Sequence, residues 1–295
     1  ELTTMKWHHG HNGSIVNGIP RIGFMKGGNK AKWKDEDMAD NFLNKAKEYI
    51  KENKNNPFFL FYSLQQPHVP RTPNPRFVGK SGMGPRGDAI IEADWCIGEL
   101  YKTLEENKLL ENTLIIFSSD NGPVLNDGYF DNAVEMLGEH TPSGGLRGGK
   151  YSLFEAGTRV PFITYWKDKI KAGVSDQVVS QIDLFNTVSK MIDSDFRTKD
   201  GKDLSNLILN NTGEGRKELV IEAMGRTAYR YKEWVMIPPY KGRKIAKNVQ
   251  IELGNSSEYM LFDLERDPYQ KDNLAKKNPE KLKFMISNFD KIKKY

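Results

Sequence analysis

Two short, almost wholly apolar runs constrain this fold more than any other feature: Phe58-Phe59-Leu60-Phe61-Tyr62 and Leu114-Ile115-Ile116-Phe117-Ser118-Ser119. Each follows a stretch whose apolar residues recur every three to four positions. Met38, Phe42, Leu43, Ala46 and Ile50 precede the first, and Ile90, Ile91, Ile97, Leu100 and Leu104 precede the second. Unbroken apolarity over so few residues, directly after an amphipathic helix, predicts a strand covered on both faces, as in a parallel sheet. The alternation is a βαβ rhythm. Asp35 is placed as the N-cap of the first helix, which stops near Asn53. Val160-Pro161-Phe162-Ile163-Thr164-Tyr165 reads as a third strand, and Asp183 as the cap of a helix through Leu184, Val188 and Ile192.

From about residue 195 the texture changes to polar loops carrying Gly and Asn. Short, closely spaced strands follow at 219–222, 229–231, 234–237 and 259–263, then a helix from about Pro279. This pattern predicts a small antiparallel sheet closed by a helix. The chain thus divides into an irregular Gly-rich surface segment (1–34), part of a large α/β domain (35–200) and a small subdomain with antiparallel sheet and terminal helix (201–295).

Size allows a proper core, since 295 residues suffice for one large domain or a medium and a small one. A net charge of +5 is spread along the chain, and its one local run, among the last twenty residues, reads as a solvated helix face rather than a nucleic-acid patch. The single cysteine, Cys96, excludes an internal disulfide and any thiolate cluster. Its place in a helical apolar pattern makes it a buried, inert thiol. No stretch approaches the roughly 20 apolar residues of a membrane span.

In open α/β sheets, ligands bind beyond the carboxyl ends of the strands. Two polar clusters lie there: Gln65-Gln66-Pro67-His68-Val69-Pro70-Arg71 after the first run and Ser119-Asp120-Asn121-Gly122-Pro123 after the second. Asp120 and Asn121 offer a carboxylate and an amide carbonyl, hard oxygens suited to Ca2+ or Mg2+, although Asp-Asn-Gly is also an ordinary turn. His68, between prolines, suits a general acid or an anion contact, and equally a structural role. In Gly144-Gly145-Leu146-Arg147-Gly148-Gly149-Lys150 the glycines permit close backbone approach, and Lys150 can present its ammonium to an anion. Tyr151 follows Gly149-Lys150 where a Walker loop requires Ser or Thr. Glu155 and Arg159 read as an ion pair pinning the loop.

Four blocks stand in register: Pro57 to Tyr62 with His68-Val69-Pro70; Ser118-Ser119-Asp120-Asn121-Gly122; Leu146-Arg147-Gly148-Gly149-Lys150; and Glu155 to Pro161. Together they resemble the second half of the type I sulfatases, arylsulfatase-like members of the alkaline-phosphatase superfamily. The closing Tyr259 to Pro268 and Asn273-Leu274-Ala275 are similar to that family's last strand and turn. The resemblance covers residues 36 to 290. It implies an α/β fold with part of an alkaline-phosphatase-like, mostly parallel sheet flanked by helices, plus the small antiparallel subdomain. It further implies Asp120 and Asn121 as Ca2+ ligands, Lys150 as a sulfate contact, and His68 as the histidine near the scissile ester oxygen. The family's nucleophile is formylglycine, made from Cys or Ser in a Cys/Ser-x-Pro/Ala-x-Arg motif, and no such motif occurs in these residues. The early Asp-Asp pair that completes the family's metal site is also absent, so the 295 residues alone are expected to be inactive.

The implied substrate is a sulfated carbohydrate or an aryl sulfate, in a periplasmic or extracellular setting. A phosphoesterase or phosphonate hydrolase of the same superfamily and a non-catalytic glycan-binding module are the alternatives. Arg71, His140, Arg226, Arg230 and Lys241 are candidate sugar contacts. Lys6-Trp7-His8-His9-Gly10 is read as a lookalike of the family's Gly-Lys-Trp-His-Leu-Gly, with His8, His9 and His11 otherwise an adventitious metal or glycan site. An uncovered strand edge is expected to drive self-association or to retain a missing N-terminal piece.

Overall fold

The structure, a computed structural model, describes residues 14–19, 23–26, 34–128 and 131–293. Lys6 to His11 lie outside these. The chain divides into two compact units, Glu1–Leu110 with Leu125–His140 and Glu111–Val124 with Thr141–Tyr295.

In the first unit, β1 (Ser14–Ile19) pairs antiparallel with β2 (Gly23–Lys26), where an irregular segment was expected. Both strands are short and interrupted by register shifts, so they carry little alternation for a sequence pattern to detect. A 3-10 turn, Asp35–Asp37, leads into α1 (Met38–Glu52), so Asp35 opens that turn and does not cap the helix. The apolar stripe of α1 meets α2 (Gly84–Glu106) through Leu43, Ala39 and the fully buried Cys96, with Tyr62 and Leu64 packed against them.

Residues 58–62 form no strand and pair with none among the described residues, and Phe59 and Phe61 are 78% and 79% exposed. The expectation of a strand covered on both faces therefore fails here. Without a paired neighbour, alternate residues meet α1 and α2 while the others face outward.

In the second unit, β3 (Ile115–Ser118) pairs with β4 (Phe162–Tyr165) in register Ile115 to Tyr165 through Ser118 to Phe162. The pair runs antiparallel, whereas the βαβ rhythm predicted parallel neighbours. More than forty residues without a long helix separate the two strands, so no crossover helix imposes a parallel return. The short helix α3 (Glu155–Thr158) precedes β4, and α4 (Asp183–Met191) and α5 (Ser205–Asn210) follow it. Asp183 does not cap α4 from the N-cap position. Its buried carboxylate instead accepts from the amides of Ser180 (3.0 Å) and Lys202 (2.8 Å) and from Arg216.

The antiparallel subdomain forms as the periodicity predicted. Its sheet orders β10 (Met260–Asp263), β7 (Trp234–Ile237), β6 (Arg226–Tyr231) and β5 (Glu218–Ala223). Two further short strands, β8 (Ile245–Ala246) and β9 (Ile251–Glu252), pair with each other. Side chains sort by the two-residue period of a strand. Ala228, Val235, Ile237, Met260 and Phe262 face one core, while Tyr229, Met236 and Leu261 face another. The second face is closed by α6 (Pro279–Ile292) through Met285 and Phe289, whose ring stacks on Tyr229 at 5.6 Å. The first face is closed by Leu153 and Phe154 from the loop after Lys150. That packing is why residues 201–295 fall into one unit with residues 141–200. Among the described residues no helix is long and apolar enough to cross a membrane.

Candidate functional site

The corner after β3 is fixed from both sides. Ser118 Oγ donates to the Pro161 carbonyl (2.9 Å), and Gln181 Nε2 donates to Ser118 Oγ (3.0 Å). Asp120 Oδ1 accepts from the Asn121 amide (2.9 Å), and Asn121 Nδ2 donates to the Gly122 carbonyl (3.0 Å). Asp120 Oδ2 and Asn121 Oδ1 are left without a hydrogen bond among the described residues. These are two adjacent hard oxygens, a partial fit to a cation that takes six to eight. No group of three or more His, Cys, Asp or Glu residues that could hold a metal occurs among the described residues.

Glycines then bring three sequence blocks together in this unit. The Gly122 amide donates to the Gly157 carbonyl (2.9 Å), and a Cβ on Gly122 would lie 1.6 Å from the Ala156 carbonyl oxygen. The Lys150 amide donates to the Pro123 carbonyl (3.0 Å), and a Cβ on Gly149 would lie 2.6 Å from that same oxygen. Lys150 is thus clipped by its backbone to the Asp120–Pro123 corner. Its Nζ lies 5.4 Å from the centroid of the Tyr151 ring.

Residues distant in sequence secure this arrangement. Arg147 places its guanidinium 4.0 Å from the Phe154 ring centroid and binds Glu252 with both nitrogens of its fork, one at 2.8 Å. The Glu155 amide donates to Gln270 Oε1 (2.7 Å), and Ser152 Oγ donates to the Glu252 carbonyl (2.6 Å). Glu155 is 3% exposed, and burial raises its pKa despite the opposing charges of Arg230 and Arg159. The anticipated pairing with Arg159 exists at 3.7 Å, and Arg230 adds a second contact at 3.4 Å.

His68 lies in the first unit. Its Nδ1 is 2.7 Å from the Val69 carbonyl oxygen, which can only accept, so Nδ1 carries the proton and the lone pair of the neutral ring sits on Nε2.

Two candidate sugar contacts, Arg71 and Arg226, are committed to the interior instead, and a third, Arg230, is half-buried. Arg71, 2% exposed, donates to the carbonyls of Pro67 (2.9 Å) and Leu125 (3.0 Å) and pairs with Asp131 at 2.7 Å. Arg226 donates to the carbonyls of Leu253 (2.8 Å) and Tyr151 (2.8 Å) and to Asn255. Arg230 serves Glu155 and the Lys232 carbonyl (3.0 Å). His140 and Lys241 are exposed. The roles of Asp131, Glu252 and Gln270 escape sequence reasoning, since each partner lies 60 to 123 residues away with no local pattern to mark it.

The sulfatase family model matches residues 6–194, well over half of the chain. The chain belongs to the sulfatase family. It is 44% identical over 297 aligned residues to an N-acetylgalactosamine-6-O-sulfatase of Bacteroides thetaiotaomicron, covering 99% of this chain and 58% of that protein. Human arylsulfatase A is 34% identical over 170 residues, 57% of this chain and 32% of its own length. A solved Bacteroides thetaiotaomicron structure, from work on the metabolism of multiple glycosaminoglycans, superposes with a TM-score of 0.91 at 43% identity, covering 98% of this chain and 61% of that one. A Pseudoalteromonas sulfatase, PsFucS1, gives 0.71 at 27% identity, covering 88% and 54%. The fold is thus that of the alkaline-phosphatase-like sulfatases, and this sulfatase-family chain spans 58% of the length of the first of these relatives.

Proposed function

We propose that this chain is the distal part of a sulfate-ester hydrolase acting on a sulfated carbohydrate, and that Asp120, Asn121, Lys150 and His68 are its contribution to the active site. The supporting observation is the clip that sets Lys150 against the corner carrying two uncommitted oxygens, Asp120 Oδ2 and Asn121 Oδ1. The relative at 44% identity is named for N-acetylgalactosamine 6-O-sulfate, which makes that sugar the first substrate to test. Aryl sulfates share the ester chemistry.

In this reading Asp120 and Asn121 would hold Ca2+ together with ligands from outside these residues. When bound, the ion neutralises charge on the sulfate oxygens. Lys150 stabilises the negative charge that gathers on those oxygens in the transition state. With both ring nitrogens protonated, His68 would donate from Nε2 to the sulfate or pass that proton to the leaving alcohol, while Nδ1–H stays on the Val69 carbonyl. The nucleophile, a formylglycine in the family, has no precursor motif in these 295 residues. The polypeptide alone is therefore proposed not to turn over, and the setting to be periplasmic or extracellular. Self-association through the exposed Phe59 and Phe61 is proposed as well, and light scattering that finds only monomer would count against it.

The test is sulfate release from N-acetylgalactosamine 6-O-sulfate by the full reading frame. Lys150→Ala and Asp120→Ala should each lose about 100-fold or more in kcat/KM. Activity within tenfold of wild type in either variant, or hydrolysis of the phosphate ester in place of the sulfate ester, overturns the assignment.

A further inference from the structure

Arg86 lies in the first turn of α2 and is 7% exposed. Its Nε is sealed from solvent without a partner, and the guanidinium makes no hydrogen bond or ion pair among the described residues. The charged groups that face it are Arg71 and Asp131. Asp131 is already spent: Oδ2 binds Arg71 at 2.7 Å and Oδ1 accepts from the Ala133 amide at 3.2 Å. Burial and the neighbouring Arg71 lower the Arg86 pKa to about 10, which leaves it cationic at neutral pH. This corner of the first unit therefore holds two guanidiniums against one facing carboxylate.

The corner is also tightly built. Gly84 sits at φ +65°, and a Cβ there would lie 2.8 Å from Met136 Sδ, so the segment after Asp131 closes over the start of α2. No side chain caps this helix from Met83. Asp88, the nearest carboxylate along the helix, is used by the amides of Gly79 (2.8 Å) and Ser81 (2.9 Å) and by Ser81 Oγ.

We infer that Arg86, at the start of α2, is a binding residue for a carboxylate or sulfo group, and that Asp120 and Lys150 take no part in it. The outer edge of the guanidinium, Nη1 and Nη2, is the part not sealed, and its fork matches a pair of oxygens on one anionic group. One negative charge there balances the two cations. The inference does not rest on the hydrolytic reading, because binding can be measured without turnover.

The experiment is thermal unfolding of the 295-residue chain at constant ionic strength, with sodium chloride replaced by sodium sulfate or by sodium glucuronate, and glucose as the neutral control. Because sulfate stabilises proteins generally, the readout is the shift in wild type minus the shift in Arg86→Gln. Wild type and Lys150→Gln should gain about 5 °C more than Arg86→Gln at saturation. In chloride, Arg86→Gln should unfold no earlier than wild type, since it removes a charge without a partner. If it does not fold, Arg86→Lys, which keeps the charge but lacks the fork, should show a clearly smaller shift. A response to sulfate alone assigns the site to sulfo groups, and one to glucuronate alone assigns it to uronate carboxylates. Equal shifts in wild type and the Arg86 variant overturn the inference, as does a shift lost in Lys150→Gln but kept in Arg86→Gln.

Discussion

Arg71 reads from the sequence as a sugar contact and from the structure as an internal strut, and the two roles differ sharply in energy. The Arg71 and Asp131 side chains are 1% and 2% exposed and meet at 2.7 Å. Breaking a buried pair by removing one partner costs about 3–5 kcal/mol, because the surviving charge stays buried. Arg86 also faces Asp131 and offsets part of that loss, which places Arg71→Met near the lower end, about 3 kcal/mol. The sign of a second change is more telling. Asp131→Asn should destabilise wild type, yet stabilise the Arg71→Met background by about 1–2 kcal/mol through removal of the stranded carboxylate. Hydrogen exchange of the α2 amides reads this locally, with exchange about 100-fold faster in Arg71→Met. A loss below about 1 kcal/mol, the range of ordinary surface changes, would refute the strut. So would an effect of Asp131→Asn with the same sign in both backgrounds.

Cys96 is fully buried and its pKa is pushed up to about 11, so at pH 8 only about one thiol in a thousand is ionised; iodoacetamide should label it in urea and leave the native chain unmodified. Burial raises the Glu155 pKa above 4.5, so the folded state binds the proton more tightly than the unfolded chain. Its contribution to stability is therefore full below pH 4.5 and declines as pH rises through the folded value. Glu155→Gln should accordingly gain on wild type as pH rises, measured by urea midpoints between pH 4 and 8, and a constant difference would contradict the shift. Gly122→Ala forces a Cβ to 1.6 Å from a carbonyl oxygen and should cost about 3 kcal/mol, whereas Gly98→Ala in the interior of α2 meets nothing within 4 Å and should stabilise by about 0.5–1 kcal/mol; differential scanning calorimetry separates the two.

What the sequence makes legible follows from locality. The helices α1, α2 and α6 and the four-stranded sheet are written in contiguous apolar periods, and each forms where the period places it. The pattern 58–62 is equally apolar, but a strand needs a neighbour, and periodicity does not say whether one is present. Asp120 and Asn121 are recognisable by type and by position at a strand end, and Lys150 by type and by the glycines before it. What holds them is not, because Glu252 and Gln270 act across more than 100 residues. A buried arginine and a ligand-binding arginine look alike in one dimension. Both arginines are buried, and the acceptors around them separate the two: among the described residues Arg71 meets at least three, and Arg86 meets none.

The bond from Ser152 to the Glu252 carbonyl joins residues 100 apart, and it carries a consequence for timing during synthesis. A ribosome adding roughly 5–20 residues each second releases the loop bearing Lys150 several seconds before the strand that anchors it exists. Arg226, which holds the Tyr151 carbonyl, also arrives late. Until then the loop has only the corner after β3 to rest on. A message cut short anywhere between these positions yields a polypeptide that contains Lys150 and its clip to Pro123 but lacks the later bonds to Ser152 and Tyr151, so the loop is secured only by residues made long after it.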